Sequence, residues 1–408
     1  MKILKILGLV LMAGLILPLV VPHDAGAIPA FARRHKMSCT TCHAPFPRLK
    51  AFGDEFAGNG FMIPEDENDR DYVGAGDDLL RLNRDFPVAV RFDAFAALKE
   101  NEAGDLNADL QIPFGLKLLS GGTLARGIGY YFYFYMSEKG EVAGIEDAYV
   151  HFNDVGGMPL DLLVGQFQAC DPLMKRELRL TYEDYLIYKA KIGLSNNNLA
   201  YDRGIIAMYD VAKTGTNLIG MIVNGNGKDV AEGGEFDSDK YKNFFLRVGQ
   251  DVGEFVSVGY FGYYGDELGF NEELATVDAE ENPVPAPVFH NRLLYHGPDL
   301  KAGNGTLDFS FQYLLRRDTN PNFEPDAVNV ETSGMVGELV ISPHQDRSRH
   351  YVTLLYNRID SDLDAFDYET YTAAVTRVVQ RNLRMSVEYT YDAELETSRG
   401  AVGLVSAF

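Results

Sequence analysis

Residues 88–97 read VAVRFDAFAA, and their side chains alternate in character with a period of two. One set is wholly apolar: Val88, Val90, Phe92, Ala94 and Ala96. The other set includes Arg91 and Asp93. A soluble β-sandwich gives this pattern with its apolar face turned inward. A membrane barrel gives the same pattern with its apolar face turned toward lipid.

The alternation continues from residue 86 to the end of the chain and divides into about sixteen segments. They lie near 86–98, 108–119, 124–136, 141–152, 158–167, 199–209, 216–224, 242–250, 255–264, 289–297, 304–316, 334–342, 349–359, 368–379, 382–392 and 399–408. Most have the length of a tilted transmembrane strand, about 9–11 residues. Strands of soluble sheets are typically shorter, about 5–6 residues. Segment length therefore favours the membrane barrel.

The connections between these segments fall into two classes. Those after even-numbered strands are short, at 120–122, 251–254, 343–346 and 380–381, whereas several after odd-numbered strands are long, at 168–198, 225–241, 265–288 and 317–333. Short periplasmic turns alternating with long external loops are typical of outer-membrane barrels. The sequence therefore predicts an all-β fold, a porin-like antiparallel transmembrane barrel of about sixteen strands over residues 86–408. We expect it to lie in outer-membrane lipid with a periplasmic N-terminus.

Two kinds of loop bear on function. The longest connection, 168–198, is expected to fold inward and narrow the pore, by analogy with general porins; the alternative is a loop packed over the rim. Other long loops are acidic, for example at 229–239 and 360–367. We expect them to concentrate cations at the mouth of the barrel. Specific metal binding there is the weaker interpretation, because runs of charge usually form a solvated face.

A cofactor motif precedes the barrel. Cys39-Thr40-Thr41-Cys42-His43 has the C-x-x-C-H spacing that attaches a c-type haem. The two thiols would form thioethers with the haem vinyl groups, and His43 would be the proximal axial ligand of the iron. A local disulfide and half of a zinc site are the alternatives. Zinc would require further paired ligands, and the only other cysteine is Cys170. We therefore predict one covalently bound c-type haem.

The compartment predicted from the N-terminus agrees with this motif. Residues 1–27 resemble a secretory signal peptide, with Lys2 and Lys5 before an apolar run and small residues at its end. The whole chain has 37 basic and 59 acidic residues, a net charge of −22. That charge excludes nucleic acid as an expected partner and favours cationic ligands.

The segment that carries the motif is short. We assign 28–64 to a monohaem cytochrome c segment and 65–85 to an acidic linker. A segment of fewer than about 40 residues rarely folds alone. A barrel of about sixteen strands encloses a lumen. We therefore expect the segment to plug the lumen from the periplasmic side, with a freely hanging haem domain as the alternative.

The sixth ligand of the iron stays open at this stage. Met62 is the candidate distal ligand, because nineteen residues separate it from His43 and the chain has room to turn back. Met37 is close to the motif and would reach the iron only with strain. Met62 could equally be a core residue. A lone histidine on a strand, such as His151, is more often structural than ligating, and none of the histidines has metal-ligand spacing.

The N-terminal segment resembles a known family. The resemblance rests on stretches 31–33, 37–43, 46–49, 52–53 and 56–61, which read FAR, MSCTTCH, FPRL, FG and FAGNGF. They are similar to the N-terminus of the fused monohaem cytochrome–porins, which include the outer-membrane iron oxidases of iron-oxidising bacteria. The resemblance implies one haem at the periplasmic end of a sixteen-stranded porin and electron transfer through the outer membrane.

Two functions follow as hypotheses. In the first, the chain passes electrons between an extracellular donor or acceptor, for example Fe(II), and a periplasmic c-type cytochrome, with iron:cytochrome c oxidoreductase activity as one form. In the second, it is a porin or channel whose haem plug is structural or sensory. The first predicts a blocked pore with a redox-active haem, and the second predicts ion conductance.

Overall fold

The computed structural model describes residues 30–63, 72–74, 76–77, 79–80, 82–84, 86–228, 232–237, 239–277 and 282–408. Its main body is a closed barrel of sixteen strands. The first eight are β1 (Val88–Glu100), β2 (Leu106–Ala125), β3 (Ile128–Glu138), β4 (Gly144–Phe152), β5 (Leu160–Phe167), β6 (Asp202–Val211), β7 (Thr216–Val223) and β8 (Asn243–Val252). The second eight are β9 (Val256–Phe270), β10 (Val288–Gly303), β11 (Leu307–Asp318), β12 (Val330–Ile341), β13 (His350–Ser361), β14 (Tyr368–Gln380), β15 (Leu383–Asp392) and β16 (Thr397–Ala407).

Each strand pairs antiparallel with its neighbour in sequence, and the last strand closes on the first. In that closing pair Arg399 lies opposite Lys99 and Ala407 lies opposite Arg91. The C-terminal Phe408 extends the ladder through its backbone hydrogen bonds with Val90. The predicted fold class and the predicted number of strands are confirmed.

One predicted turn is wrong. The short connection expected at 120–122 lies within β2, and the chain turns instead at 126–127. The two glycines that suggested a turn serve another purpose, because the N-terminal segment packs against them. A Cβ on Gly121 would lie 3.0 Å from Cζ of Phe31, and a Cβ on Gly122 would lie 3.1 Å from Nη1 of Arg34.

The outer wall of the barrel is mostly apolar, whereas the inner wall carries polar as well as apolar residues. On β8, Phe244 and Leu246 face outward with 51% and 59% of their surface exposed, while the alternate residue Arg247 is buried. The same exposed apolar positions occur around the ring, at Ile205, Ile222, Leu294, Leu354 and Val375. A soluble sandwich would bury these side chains, so the alternation is that of a membrane barrel.

Short elements surround the strands. Among the described residues, three helices precede the barrel, α1 (Ala30–His35), α2 (Cys39–Cys42) and α3 (Ala51–Gly58). The same residues form small hairpins that pair Tyr72–Val73 with Leu82–Asn83 and Thr276–Val277 with Pro283–Val284. Single 3₁₀ turns occur at Val155–Gly157, Arg176–Leu178, Leu186–Tyr188, Glu232–Gly234, Glu272–Leu274, Gln345–Arg347 and Asp364–Phe366.

The predicted signal peptide, 1–27, and much of the predicted linker, 65–85, lie outside the described residues. Within the described part of the chain, no helix combines the length and the apolar character needed to cross a bilayer.

Residues 30–63, which we call the plug, lie across the lumen at the short-turn end. Phe61 stacks on Tyr131 of β3 with ring centroids 4.7 Å apart. On the opposite wall, Nη1 of Arg48 lies 3.3 Å from Oδ2 of Asp308 in β11, and Lys50 pairs with Asp346 in the turn after β12. The plug therefore spans the lumen from one wall to the other.

Residues 168–201, which we call the inward loop, enter the lumen from the long-loop end. The prediction that this connection folds inward is confirmed. Its apolar side chains pack with inward-facing residues of β5 to β13 in one buried cluster, the lumen core. The loop contributes Cys170, Leu173, Met174, Tyr185, Ile187, Tyr188 and Leu199 to that cluster. This side of the lumen is filled by packed side chains.

Candidate functional site

The cysteine motif forms a single helical turn. Ser38 caps α2 by accepting a hydrogen bond from the backbone N–H of Thr40, and the backbone N–H of His43 donates to the carbonyl of Cys39 at 2.8 Å. Residues three and four positions apart on a helix lie on one side. The turn therefore presents Cys39, Cys42 and His43 to the same space.

Helix α3 supports this turn from behind. The backbone N–H of Lys50 donates to the carbonyl of Cys42 at 2.9 Å, and Nζ of Lys50 donates to the carbonyl of Thr40 at 2.9 Å. Gly53 allows the close approach, because a Cβ there would lie 2.4 Å from the carbonyl oxygen of Cys42. The orientation of the motif is thus fixed by backbone contacts.

The ring of His43 is oriented by one of its two nitrogens. Nδ1 lies 2.9 Å from the carbonyl oxygen of Pro47, which can accept only from a protonated nitrogen. Burial lowers the pKa of His43 below the usual range for histidine. The imidazole is therefore held neutral, with Nε2 as the nitrogen that carries the free lone pair. Metal-bound histidines commonly have this arrangement, in which a carbonyl group fixes the tautomer.

The two motif cysteines carry free thiols. Cys39 and Cys42 are both partly exposed and are not joined in a disulfide. Burial raises the pKa of both thiols. The disulfide alternative for the motif is therefore not the state of this structure.

All three motif residues line one cavity inside the lumen, with a volume of about 360 Å³. That volume falls within the range of small-molecule and cofactor pockets, roughly 300–1,000 Å³. The cavity has three sides: the plug, the barrel wall from β16 through β7, and the start of the inward loop. Its lining is mostly apolar, with Phe31, Phe46, Leu119, Leu163 and Phe167 among the contributors.

An aromatic cluster fixes the plug at this position. Phe31 stacks on Phe61 at 5.0 Å and meets Phe56 edge-on at 5.3 Å. Phe61 continues the stack to Tyr131 on the barrel wall. Aromatic pairs of this geometry contribute about 0.5–1.5 kcal/mol each beyond the burial of their surface.

The candidate distal ligand Met62 lies away from the cavity. Met62 is 3% exposed but is not among the residues that line the cavity. Met37, expected to reach an iron only with strain, does line it. His151 on β4 also lines it, although nothing in the sequence distinguishes this histidine from the others. A lone histidine becomes informative only when the fold shows which wall it faces.

Buried charges fasten the inward loop to the wall beside the cavity. Glu177 accepts from Nζ of Lys117 at 3.1 Å and from the hydroxyl of Tyr135 at 2.8 Å. Its backbone carbonyl accepts from Nη1 of Arg91 at 3.0 Å. Burial alone would raise the pKa of Glu177, but Lys117, together with nearby arginines, holds it well below the usual range. The loop is thus anchored at this point by an ionised carboxylate.

The acidic loops contain no built metal site in the described residues. No group of three histidine, cysteine or acidic side chains converges in the part of the chain that the structure describes. Some carboxylates at this end have other partners. Oδ1 of Asp266, near the end of β9, lies 2.9 Å from Nδ1 of His290, and Asp239 accepts hydrogen bonds from two backbone N–H groups.

Comparison with known proteins supports the barrel. No protein-family model matches the chain, and no curated protein sequence matches it. Among solved structures, it is similar to OmpTdeltaL8, a loop-deletion mutant of the outer-membrane protein OmpT of Vibrio cholerae, with a TM-score of 0.55 and 11% identity. OmpF of Salmonella typhi in complex with daunomycin has a TM-score of 0.55 and 10% identity, and the anion-selective porin from Comamonas acidovorans has a TM-score of 0.53 and 10% identity. Each alignment covers 79% of this chain and 98% of the other. The chain therefore has the fold of outer-membrane porin and channel barrels.

Proposed function

We propose that this chain is an outer-membrane electron-transfer protein that holds one covalent c-type haem in its plugged lumen. The observation that carries the proposal is the convergence of Cys39, Cys42 and His43 on one apolar cavity between the plug and the inward loop. Haem supplies one-electron redox chemistry when bound. Its potential is set by ligation and burial.

The residues of the cavity have defined roles in this proposal. Cys39 and Cys42 attach the group covalently, and His43 offers Nε2 as the proximal ligand while Nδ1 stays bound to Pro47. Phe31, Phe46 and Leu119 keep water from the site. Arg91 and Lys175 also line the cavity and supply positive charge for carboxylate groups of a ligand.

The filled lumen favours electron transfer over solute diffusion. The plug occupies the short-turn end, and the inward loop packs into the lumen core from the other end. A diffusion pore requires continuous water, and packed side chains such as Phe245, Phe261 and Val336 occupy that space. Electrons can cross packed protein over short distances where solutes cannot pass.

The charges at the two ends suit different partners. Exposed acidic residues lie at the long-loop end, including Glu272, Glu273, Glu324 and Asp326. We infer that this end faces the outside and attracts a cationic donor such as Fe(II). The plug is basic over 33–50, with Arg33, Lys36 and Lys50. We infer that it lies at the periplasmic side and meets a periplasmic c-type cytochrome.

A channel with a structural or sensory haem plug is the second candidate. The comparisons with solved structures favour it more directly, because the similar proteins include a porin described as anion-selective. A channel would need a water path along the charged wall of β1, β2, β15 and β16, since the lumen core fills the other side.

Reduction of the haem in intact cells tests the first candidate. A bulky Fe(II) chelate that cannot cross the outer membrane is added to cells, and haem reduction is followed by absorbance. We expect reduction from outside. With free Fe²⁺ the rate should fall as ionic strength rises, because the acidic loops attract the cation through a field that salt screens. His43→Ala should abolish the reduction while the barrel still assembles, since the hydrogen bond of His43 to Pro47 and its ring contact with Phe46 both lie within the plug.

Reduction of the haem by the chelate in lysates but not in intact cells would contradict the electron-transfer proposal. Wild-type protein with ion conductance in planar bilayers and no external reduction would favour the channel. Cells that carry His296→Ala provide the matched control, because His296 lies on β10, away from the cavity, and bonds to the hydroxyl of Tyr260.

A further inference from the structure

His151 is a buried histidine with no settled hydrogen-bond partner. It is 1% exposed, and neither Nδ1 nor Nε2 has a hydrogen bond within the described residues. The nearest charged group is Asp161, whose Oδ2 lies 3.5 Å from Nε2 without the alignment of a hydrogen bond. A buried polar group that is left unpaired destabilises the folded state. A histidine in this state has ring nitrogens that can bind a ligand.

The same cavity contains His151 and the cysteine motif. His151 projects from β4 on the barrel wall, whereas His43 comes from the plug, and both line the cavity. A haem attached through Cys39 and Cys42 would be held by His43 from the plug, which would leave the iron free to take a further ligand from another wall of the cavity. Among the described residues, His151 is the histidine of the barrel wall that lines this cavity.

We propose that His151 is the second axial ligand of the haem iron, so that the plug and the barrel wall each donate one histidine. This inference rests on the proposed haem function. Asp161 acts as a positioning residue, because its negative charge, 3.5 Å from Nε2, favours a proton on that nitrogen and so leaves the lone pair of Nδ1 for the iron.

The position of His151 depends on close contact with the plug. A Cβ on Gly60 would lie 3.0 Å from Cγ of His151, and a Cβ on Gly129 would lie 2.4 Å from the carbonyl oxygen of Gly60. Two glycines therefore allow the plug to pack directly against the ring. Met62, the ligand expected from the sequence, does not line the cavity. Met37 lines the cavity, but it precedes Cys39 by only two residues and so lies directly beside the motif.

Spectroscopy of the full-length protein in detergent tests the proposal without any donor. Wild type should show low-spin ferric haem with no sulfur-to-iron charge-transfer band. His151→Ala should become high-spin and should recover the low-spin spectrum on addition of imidazole. His151→Met should gain the sulfur band and a higher midpoint potential, because a thioether ligand raises the potential of haem. Met37→Leu, Met62→Leu and His296→Ala should keep the wild-type spectrum.

Several results would overturn it. A sulfur-to-iron band in wild-type protein, lost in Met37→Leu or Met62→Leu, would assign the ligand to methionine even if no His151 variant assembles. An unchanged low-spin spectrum in His151→Ala would also exclude His151. Either result would leave the haem function standing. Wild-type protein without covalent haem would instead contradict the proposed function itself.

Discussion

The carboxylate of Glu177 should control whether the inward loop stays closed. Glu177 is 9% exposed. Its carboxylate oxygens lie 3.1 Å from Nζ of Lys117 and 3.2 Å from Nη2 of Arg176, and they accept a hydrogen bond from the Tyr135 hydroxyl at 2.8 Å. Glu177→Ala leaves Lys117, itself 3% exposed, with Asp93 at 3.3 Å as its one ion-pair partner among the described residues. Breaking one partner of a buried pair costs about 3–5 kcal/mol. Because Asp93 remains, we expect the lower part of that range, about 3–4 kcal/mol.

That free energy shifts the balance between closed and open loop by roughly 10²–10³-fold, at tenfold for every 1.4 kcal/mol. The inward loop contains Lys175, Arg176 and Arg179, so trypsin reports its opening. Cleavage follows the population of the open form when reclosing is fast. We therefore expect cleavage within 168–201 to accelerate by up to this factor, while the barrel remains intact on a gel.

Glu331→Ala is the matched control for this experiment. Oε1 of Glu331 lies 2.9 Å from Nε of Arg317, and both side chains are more than half exposed. Exposed ion pairs contribute about 0–1 kcal/mol, so cleavage of the loop should change little. Equal cleavage rates in Glu177→Ala and Glu331→Ala would refute the reasoning that a buried charge holds the loop.

Three further outcomes are expected. Cys42→Ala should remove the haem-stained band from a denaturing gel. Cys170→Ala should keep the band, because Cys170 is buried outside the cavity lining. A stained band in both variants would contradict attachment through Cys42. Burial would raise the pKa of Asp184, but Arg179 and Arg176 hold it at about 2, below the unfolded value of 3.8. Its stabilising contribution is therefore present above pH 3.8 and lost as the pH falls toward 2. Protection of the loop from pepsin should decline over that window in wild type, and the decline should be smaller in Asp184→Asn. Gly121→Val should displace the plug, since a Cβ there meets Phe31 at 3.0 Å, and should speed alkylation of the haem-free Cys39 and Cys42. Gly262→Val should leave the alkylation rate unchanged, because a Cβ there meets nothing within 4 Å. Equal alkylation rates in the two variants would show that the plug does not dock at Gly121.

The barrel could be predicted because lipid imposes a strict rule on every strand. Residues facing outward must be apolar, so the alternation at Val88, Val90 and Phe92 predicts a membrane strand without any knowledge of contacts distant in sequence. The positions of the turns are harder to predict from the sequence. Gly121 and Gly122 resemble a turn in the sequence, but they are strand glycines at the place where the plug approaches the wall.

The interior was harder to predict, since its packing depends on contacts distant in sequence. Ile219, Met221 and Phe245 point inward on β7 and β8, where a water-filled pore would have polar residues. Only the inward loop, which covers them, explains their apolar character. The same limit applies to His151, whose importance depends on a cavity formed by the plug, the loop and eight strands. The spacing of Met62 from His43 predicts a distal ligand, but spacing does not reveal which surface a side chain faces.

The closing pair between β1 and β16 also has a consequence for the order of maturation. The plug precedes β1 in the chain, and the strand that completes the ring is the last to emerge. Once that seam forms, Cys39 and Cys42 lie in a cavity walled by strands on one side and by the inward loop on another. If a haem is joined to these thiols as proposed, the enzyme that attaches it would have the freest access before the seam forms. Attachment and barrel assembly would then follow one another on each copy, and a copy that closed early would hold no haem.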